Sequence, residues 1–324
     1  MDTTTKLPWI EKYRPSRLSN VISHENVLST LSKYVIQKTF PNMIVYGSPG
    51  IGKTSIVKAC ASELFGSLTD EMTLEINASE DRGIETVRTR ITQFANSTNA
   101  FSINESNITI KLVILDEADS MTDDAQIALK NTIDEYPSTK FCLICNCIKK
   151  IHYPIVSRCI GFRLHPIPKQ KMFEHAKFIC KSENVNISDE AINEIIKFSF
   201  GDMRKIINVL QSTKTAYDEC NIDINCVIKY LNQIPYNTID IILNLLLNKT
   251  VSIHDAYEEI NKIISENGYS FYELVRKLNE KLLEHKTPIH THIIKKIGTI
   301  EYQIFSNVNI QILILSLISV CKNI

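Results

Sequence analysis

The run Gly47-Ser48-Pro49-Gly50-Ile51-Gly52-Lys53-Thr54 fits the eight-position pattern of a phosphate-binding loop in full. Its flanks suit it. Asn42 to Tyr46, with three successive apolar residues, reads as a short buried strand, and Ser55 to Ala61 reads as the start of a helix. A strand, a glycine-bearing loop and a helix in that order present backbone N–H groups and a helix N-terminus to an anion. Lys53 can then reach the β/γ-phosphates of a nucleotide, and the Thr54 hydroxyl can ligate magnesium.

A second motif lies further along. Lys111-Leu112-Val113-Ile114-Leu115-Asp116-Glu117 carries four apolar residues up a central parallel strand and delivers two acids to its C-terminal end, where ligands bind in open α/β sheets. Asp116 is placed to hold the metal and Glu117 to polarise an attacking water. The letters Asp116-Glu117-Ala118-Asp119 also spell a helicase motif. The chain has neither the remaining helicase motifs nor a second α/β lobe, which argues against that class. Asn146, at the end of the next strand-like run, can hold the attacking water through its amide.

At 324 residues the chain has room for two or three domains. Lys plus Arg equals Asp plus Glu at 36 each, so any contact with DNA must come from a local patch rather than from overall charge. The N-terminus lacks a signal-peptide layout, and the apolar run from Ile310 to Cys321 is too short and interrupted to span a bilayer, so a core helix is expected there and no membrane partner. The nine cysteines show no paired zinc spacing and read as reduced, mostly buried thiols of an intracellular protein.

Strands and helices alternate from residue 21 to about 164, which implies a parallel sheet covered on both faces. Beyond Pro166 and Pro168 the pattern turns helical: Lys169–Ser182, Ser188–Ser199, Asp202–Tyr217 and Asp223–Leu231 are expected. After Pro235 come Thr238–Leu247, Ile253–Glu266, Phe271–His285, Pro288–Phe305 and Ile310–Val320. The organisation expected is 1–164 for the α/β P-loop domain, 165–232 for a small helical lid and 233–324 for an all-α bundle.

An α/β P-loop domain followed by a small helical domain is the layout of the AAA+ ATPases, and four segments resemble their clamp-loader branch, the replication factor C small subunits. These are Leu7-Pro8-Trp9-Ile10-Glu11-Lys12-Tyr13-Arg14-Pro15, the box from Asn77 to Arg88, Ser157-Arg158-Cys159, and Gly201-Asp202-Met203-Arg204. The resemblance covers essentially the whole chain. Departures are modest: Glu80 stands where Asp is usual, and Ser48 and Ile51 replace the usual Pro and Thr, at positions whose side chains do not bind phosphate or magnesium.

The resemblance implies an ATPase using ATP and Mg2+, with nucleotide contacts from Arg14, Gly47, Pro49, Gly50, Ile51, Gly52, Lys53, Thr54, Ser55 and Asp116, and metal ligation by Thr54 and Asp116. It assigns catalytic roles to Glu117, to Asn146 as sensor 1, to Arg204 as sensor 2 on the lid, and to Arg158 as an arginine finger. Arg158 is expected just past a strand at the domain edge, acting in a neighbouring subunit's site. Arg82 and Arg88, on a helix beginning near Gly83, and Lys149 are expected to track a DNA phosphate backbone. The stretch from Gln93 to Phe101 is expected to touch the clamp. The implied setting is a nuclear hetero-pentamer whose C-terminal bundle forms a collar, and which loads a sliding clamp onto primer–template DNA in replication and repair. The alternatives are another AAA+ replication or branch-migration ATPase, or a nucleotide-binding scaffold subunit with little turnover.

Overall fold

A computed structural model describes residues 7–80, 83, 85, 87–97, 110–217, 221–248, 250–284, 288–306 and 308–322. The chain divides into two compact units, residues 1–218 and 219–324.

The first unit is built on five parallel strands: β1 (Met43–Tyr46), β2 (Thr73–Asn77), β3 (Lys111–Asp116), β4 (Thr139–Cys145) and β5 (Ile160–Arg163). They lie in the order β2-β3-β4-β1-β5. A strand covered on both faces must be apolar throughout rather than alternating, and the central strands meet that demand: Met43, Ile44 and Val45, Leu112 to Leu115, and Phe141 to Cys145 are all buried. Register decides what the sheet can do. Tyr46 stands opposite Cys145, and Leu115 opposite Leu143, so the C-terminal ends of β1, β3 and β4 finish on one rim. The phosphate loop, the acidic pair and Asn146 each follow one of those ends.

Three lid helices, Lys169–Ser182, Asp189–Ser199 and Met203–Ala216, complete this unit. Each of the last two starts where a side chain can satisfy its orphan amides: Ser188 Oγ accepts from Ala191 N at 3.2 Å, and Asp202 Oδ1 accepts from Arg204 N at 2.9 Å and Lys205 N at 3.3 Å. The short helix Trp9–Lys12 is strapped to them. Trp9 is buried and its N–H donates to Gln211 Oε1 at 3.0 Å, while Glu183 Oε1 accepts from Tyr13 Oη at 2.5 Å and Lys12 Nζ at 2.6 Å.

The described elements of the second unit are helices: Ile224–Tyr230, Tyr236–Leu247, Ile253–Asn267, Phe271–Glu284, Pro288–Phe305 and Ile310–Lys322. Ile242, Ile260, Leu274, Leu278, Ile297, Leu313 and Leu317 form its core, so the apolar C-terminal run is a core helix as expected. Lys277, buried at 4% exposure, is satisfied by Gln233 Oε1 at 3.1 Å and the Ile234 carbonyl at 2.8 Å. Among the described residues no helix is long and apolar enough to cross a membrane.

Candidate functional site

The loop from Gly47 to Gly52 leaves β1 and enters the helix Lys53–Phe65. Gly50 has φ +70, and a Cβ there would lie 1.8 Å from Asp202 Oδ1; its carbonyl accepts from Met203 N at 3.1 Å. The loop therefore touches the N-terminus of the lid helix directly. No larger residue fits between them unless Asp202 moves.

Lys53 is 8% exposed. Its ammonium donates to the Gly47 carbonyl at 3.0 Å, the Ser48 carbonyl at 2.8 Å and Asn146 Oδ1 at 2.8 Å. Burial, then the nearby Arg204, pulls its pKa below the ordinary lysine value. A cation held in a partly dry pocket beside another cation is poised for an anionic ligand. Thr54 Oγ1 donates to Asp116 Oδ2 at 2.7 Å, and Asp116 Oδ1 accepts from the Glu117 N–H at 2.9 Å. Glu117 adopts a left-handed conformation at φ +52, unusual for a residue with a side chain, and lines the same cavity. Asp119 accepts from the N–H groups of Asn146 and Cys147 at 3.4 and 3.2 Å, tying the end of β4 to the turn after β3.

Two adjoining cavities meet at Gly50, Gly52 and Arg204. One is lined by Lys53, Thr54, Asp116, Glu117 and Asn146. The other is mostly apolar, with walls from Ile10, Tyr13, Arg14, His24, Ile51, Ser55, His175 and Ile207. A polar chamber with a buried cation joined to an apolar chamber matches a triphosphate joined to a base. The hydroxyl and carboxylate of Thr54 and Asp116 are the hard oxygen donors that magnesium prefers, so the residues fit both groups.

The sequence-derived residues separate by place. Lys53, Thr54, Asp116, Glu117, Asn146 and Arg204 converge on the polar chamber with Pro49, Gly50 and Gly52, and Arg14, Ile51 and Ser55 line the apolar one, Arg14 with its guanidinium also donating to Glu11 Oε1 at 2.5 Å. Gly47 starts the loop and accepts from Lys53 without lining either chamber. Arg158 lies apart. It follows the short helix Tyr153–Val156 and precedes β5, rather than sitting just past a strand, and it pairs with Asp134. Lys149 is exposed on a single turn, Ile148–Lys150. Arg82, the side chain of Arg88 and Phe101 lie outside the described residues. Phe94 packs against the sheet core, with Lys111 Nζ 5.2 Å from its ring.

Sequence reasoning missed Tyr13, His24 and His175 in the apolar wall, and Asp202 under the loop. Burial lowers the pKa of both histidines, which favours their neutral form in that wall. Tyr13 and Asp202 fall within quoted motifs, but nothing in those motifs shows that they reach this site, and no local pattern marks His24 or His175; all four come to it from distant parts of the chain.

The sheet order, the two nucleotide motifs on one rim and the lid helix seated on the loop define an AAA+ ATPase. Residues 43–164 match the model of the ATPase family associated with various cellular activities, residues 177–215 the RCF1/5-like AAA+ ATPase lid domain, and residues 234–320 the replication factor C C-terminal domain. The chain belongs to the replication factor C small-subunit family. It is 37% identical over 306 residues to replication factor C subunit 3 of Schizosaccharomyces pombe, covering 94% of this chain and 87% of that one. It is 36% identical over 323 residues to subunit 5 of Homo sapiens, covering 97% and 91%. Among solved structures, the RuvB Holliday junction branch migration motor of Thermotoga maritima aligns with a TM-score of 0.55 at 18% identity, over 82% of this chain and 91% of that one, a likeness of fold.

Proposed function

We propose that the chain is one small subunit of a hetero-pentameric, nuclear clamp loader that uses ATP to open a sliding clamp and place it on primer–template DNA during replication and repair. The observation that carries this is the convergence of Lys53, Thr54, Asp116, Glu117 and Asn146, drawn from three strand ends, on one chamber capped by Arg204 of the lid.

In this reading Lys53 meets the β/γ-phosphates, and Thr54 with Asp116 holds the magnesium ion, which neutralises phosphate charge when bound. Glu117 polarises the attacking water and Asn146 orients it. Arg204, on the helix whose N-terminus rests on Gly50, makes the lid responsive to the γ-phosphate. Arg158 reaches the nucleotide of a neighbouring subunit, and residues 233–324 serve as the collar. Arg82, Arg88 and Lys149 supply phosphate contacts to DNA.

The test is purification of the native complex through this chain, mass determination, and an ATPase assay with clamp and primed DNA. A stable pentamer whose hydrolysis rises with both additions is the expected outcome. A chain that purifies alone, or as a ring of identical copies, refutes the proposal.

A further inference from the structure

Arg158 is held within its own chain through three nitrogens. Nε donates to Asp134 Oδ1 at 2.7 Å, Nη2 to Asp134 Oδ2 at 3.1 Å, and Nη1 to the Pro154 carbonyl at 2.8 Å. A guanidinium carries five N–H donors in a rigid plane. The pair on Nε and Nη2 forms its side fork, and that fork is filled by the carboxylate. One Nη1 hydrogen is turned back to the Pro154 carbonyl. What remains is one N–H on each of Nη1 and Nη2, the Nη2 one at the end of the guanidinium away from Nε. No acceptor among the described residues engages them. Donors left at that end can grip phosphate oxygens.

The group that fills the side fork is itself fixed. Asp134 lies in the last turn of the helix Asp123–Glu135, whose opposite face is anchored by the buried Ala125, Leu129 and Ile133. Lys130, one turn earlier, places Nζ 3.0 Å from Asp134 Oδ2. The triad Lys130, Asp134 and Arg158 therefore keeps one net positive charge while its carboxylate is braced from two sides. Both ends of the Asp134–Arg158 pair remain partly open to solvent, with side-chain exposures of 43% and 34%.

We propose that Asp134 is a positioning residue for the arginine finger: it holds the Arg158 guanidinium by its side fork so that the remaining N–H donors can meet a neighbouring subunit's nucleotide. The inference rests on the role in trans proposed above for Arg158. Asp134 engages Nε and Nη2 and still leaves one N–H on each of Nη1 and Nη2 for a phosphate.

The experiment uses assembled complexes in which the site adjoining Arg158 is the one competent ATPase, carrying Asp134→Asn, Arg158→Ala or both in this chain. Asp134→Asn is expected to lower kcat at the neighbouring site about three- to fivefold, the scale of a partly exposed ion pair, with KM for ATP and the yield of complex unchanged. Added to Arg158→Ala, it is expected to lower kcat no further, because nothing is left to position. Normal kcat in Asp134→Asn beside a large loss in Arg158→Ala overturns this inference alone. A raised kcat overturns it too, since Asp134 would then be a restraint, and so does an equal loss with or without Arg158. Unchanged kcat at the neighbouring site in Arg158→Ala overturns the role in trans and this inference with it.

Discussion

Replacing Gly50 with alanine would cost the chain in two separable ways. The first is backbone strain: at φ +70 a residue with a Cβ is disfavoured by roughly 1 kcal/mol. The second is collision. The new Cβ would lie 1.8 Å from Asp202 Oδ1 and 2.2 Å from its Cγ, so the carboxylate has to swing away from the lid helix. It then gives up the bonds it accepts from Arg204 N and Lys205 N, and loss of an N-cap costs about 1 kcal/mol. The sum, roughly 2 kcal/mol, corresponds to a fall in melting temperature of about 4–8 °C for a unit of this size. Gly52→Ala is the control: its φ of +94 also imposes strain, but no atom lies within 4 Å of its Cβ position. Asp202→Gly supplies the sharper test. On its own it destabilises by a few tenths of a kcal/mol, because glycine is a tolerated N-cap. Combined with Gly50→Ala it removes the collision and should stabilise, so the same substitution changes sign with background. Thermal melting of the four proteins, together with equilibrium binding of a fluorescent ATP analogue, reads both the coupling and its cost to the site. If Asp202→Gly destabilises to the same extent in both backgrounds, the direct contact between loop and lid is refuted.

Glu117→Gln should retain ATP binding while slowing single-turnover hydrolysis, since an amide can hydrogen-bond a water but cannot polarise it as a carboxylate does; an unchanged rate removes Glu117 from the chemistry. The Asp134 carboxyl, held down to about 2 by its hydrogen bonds from Arg158 and then Lys130, should titrate there by side-chain NMR and return toward the ordinary carboxylate range in Arg158→Ala. Because the folded value is the lower one, the pair contributes fully above the ordinary carboxylate pKa and is lost as pH falls toward about 2; a midpoint unmoved by Arg158→Ala shows that the pairing does not persist in solution. Lys149→Glu should weaken DNA binding by the same factor on every sequence and reduce the salt slope by about one, whereas a sequence-selective loss argues against a phosphate contact.

The fold was legible wherever local chemistry decides it. Lys169–Ser182 and Pro288–Phe305 match the helices expected from sequence, and Ser188, Asp202 and Asp223 prove to be the caps just ahead of their helices. The phosphate loop and the acidic motif were legible because their chemistry demands fixed spacing. What escaped were contacts that spacing cannot encode. Asp202 meets Gly50 across 152 positions, and Asp134 meets Arg158 from a helix face that reads as ordinary surface. The order of the strands is of the same kind: their apolar runs mark β1 and β4 as buried strands, but not as neighbours in the sheet.

The segment from Trp9 to Pro15 lies far from the phosphate loop in the linear sequence, and the fold builds part of it into the wall of the apolar chamber. Ile10, Tyr13 and Arg14 line the apolar chamber, while Glu183 of the lid holds Tyr13 and Lys12 and Gln211 holds Trp9. Chamber wall and lid are thus mortared into one piece. A tilt of the lid that preserves these bonds would carry Tyr13 with it and so change the shape of the apolar chamber. Trimming those residues would open a breach in the chamber while leaving every phosphate-binding group in place.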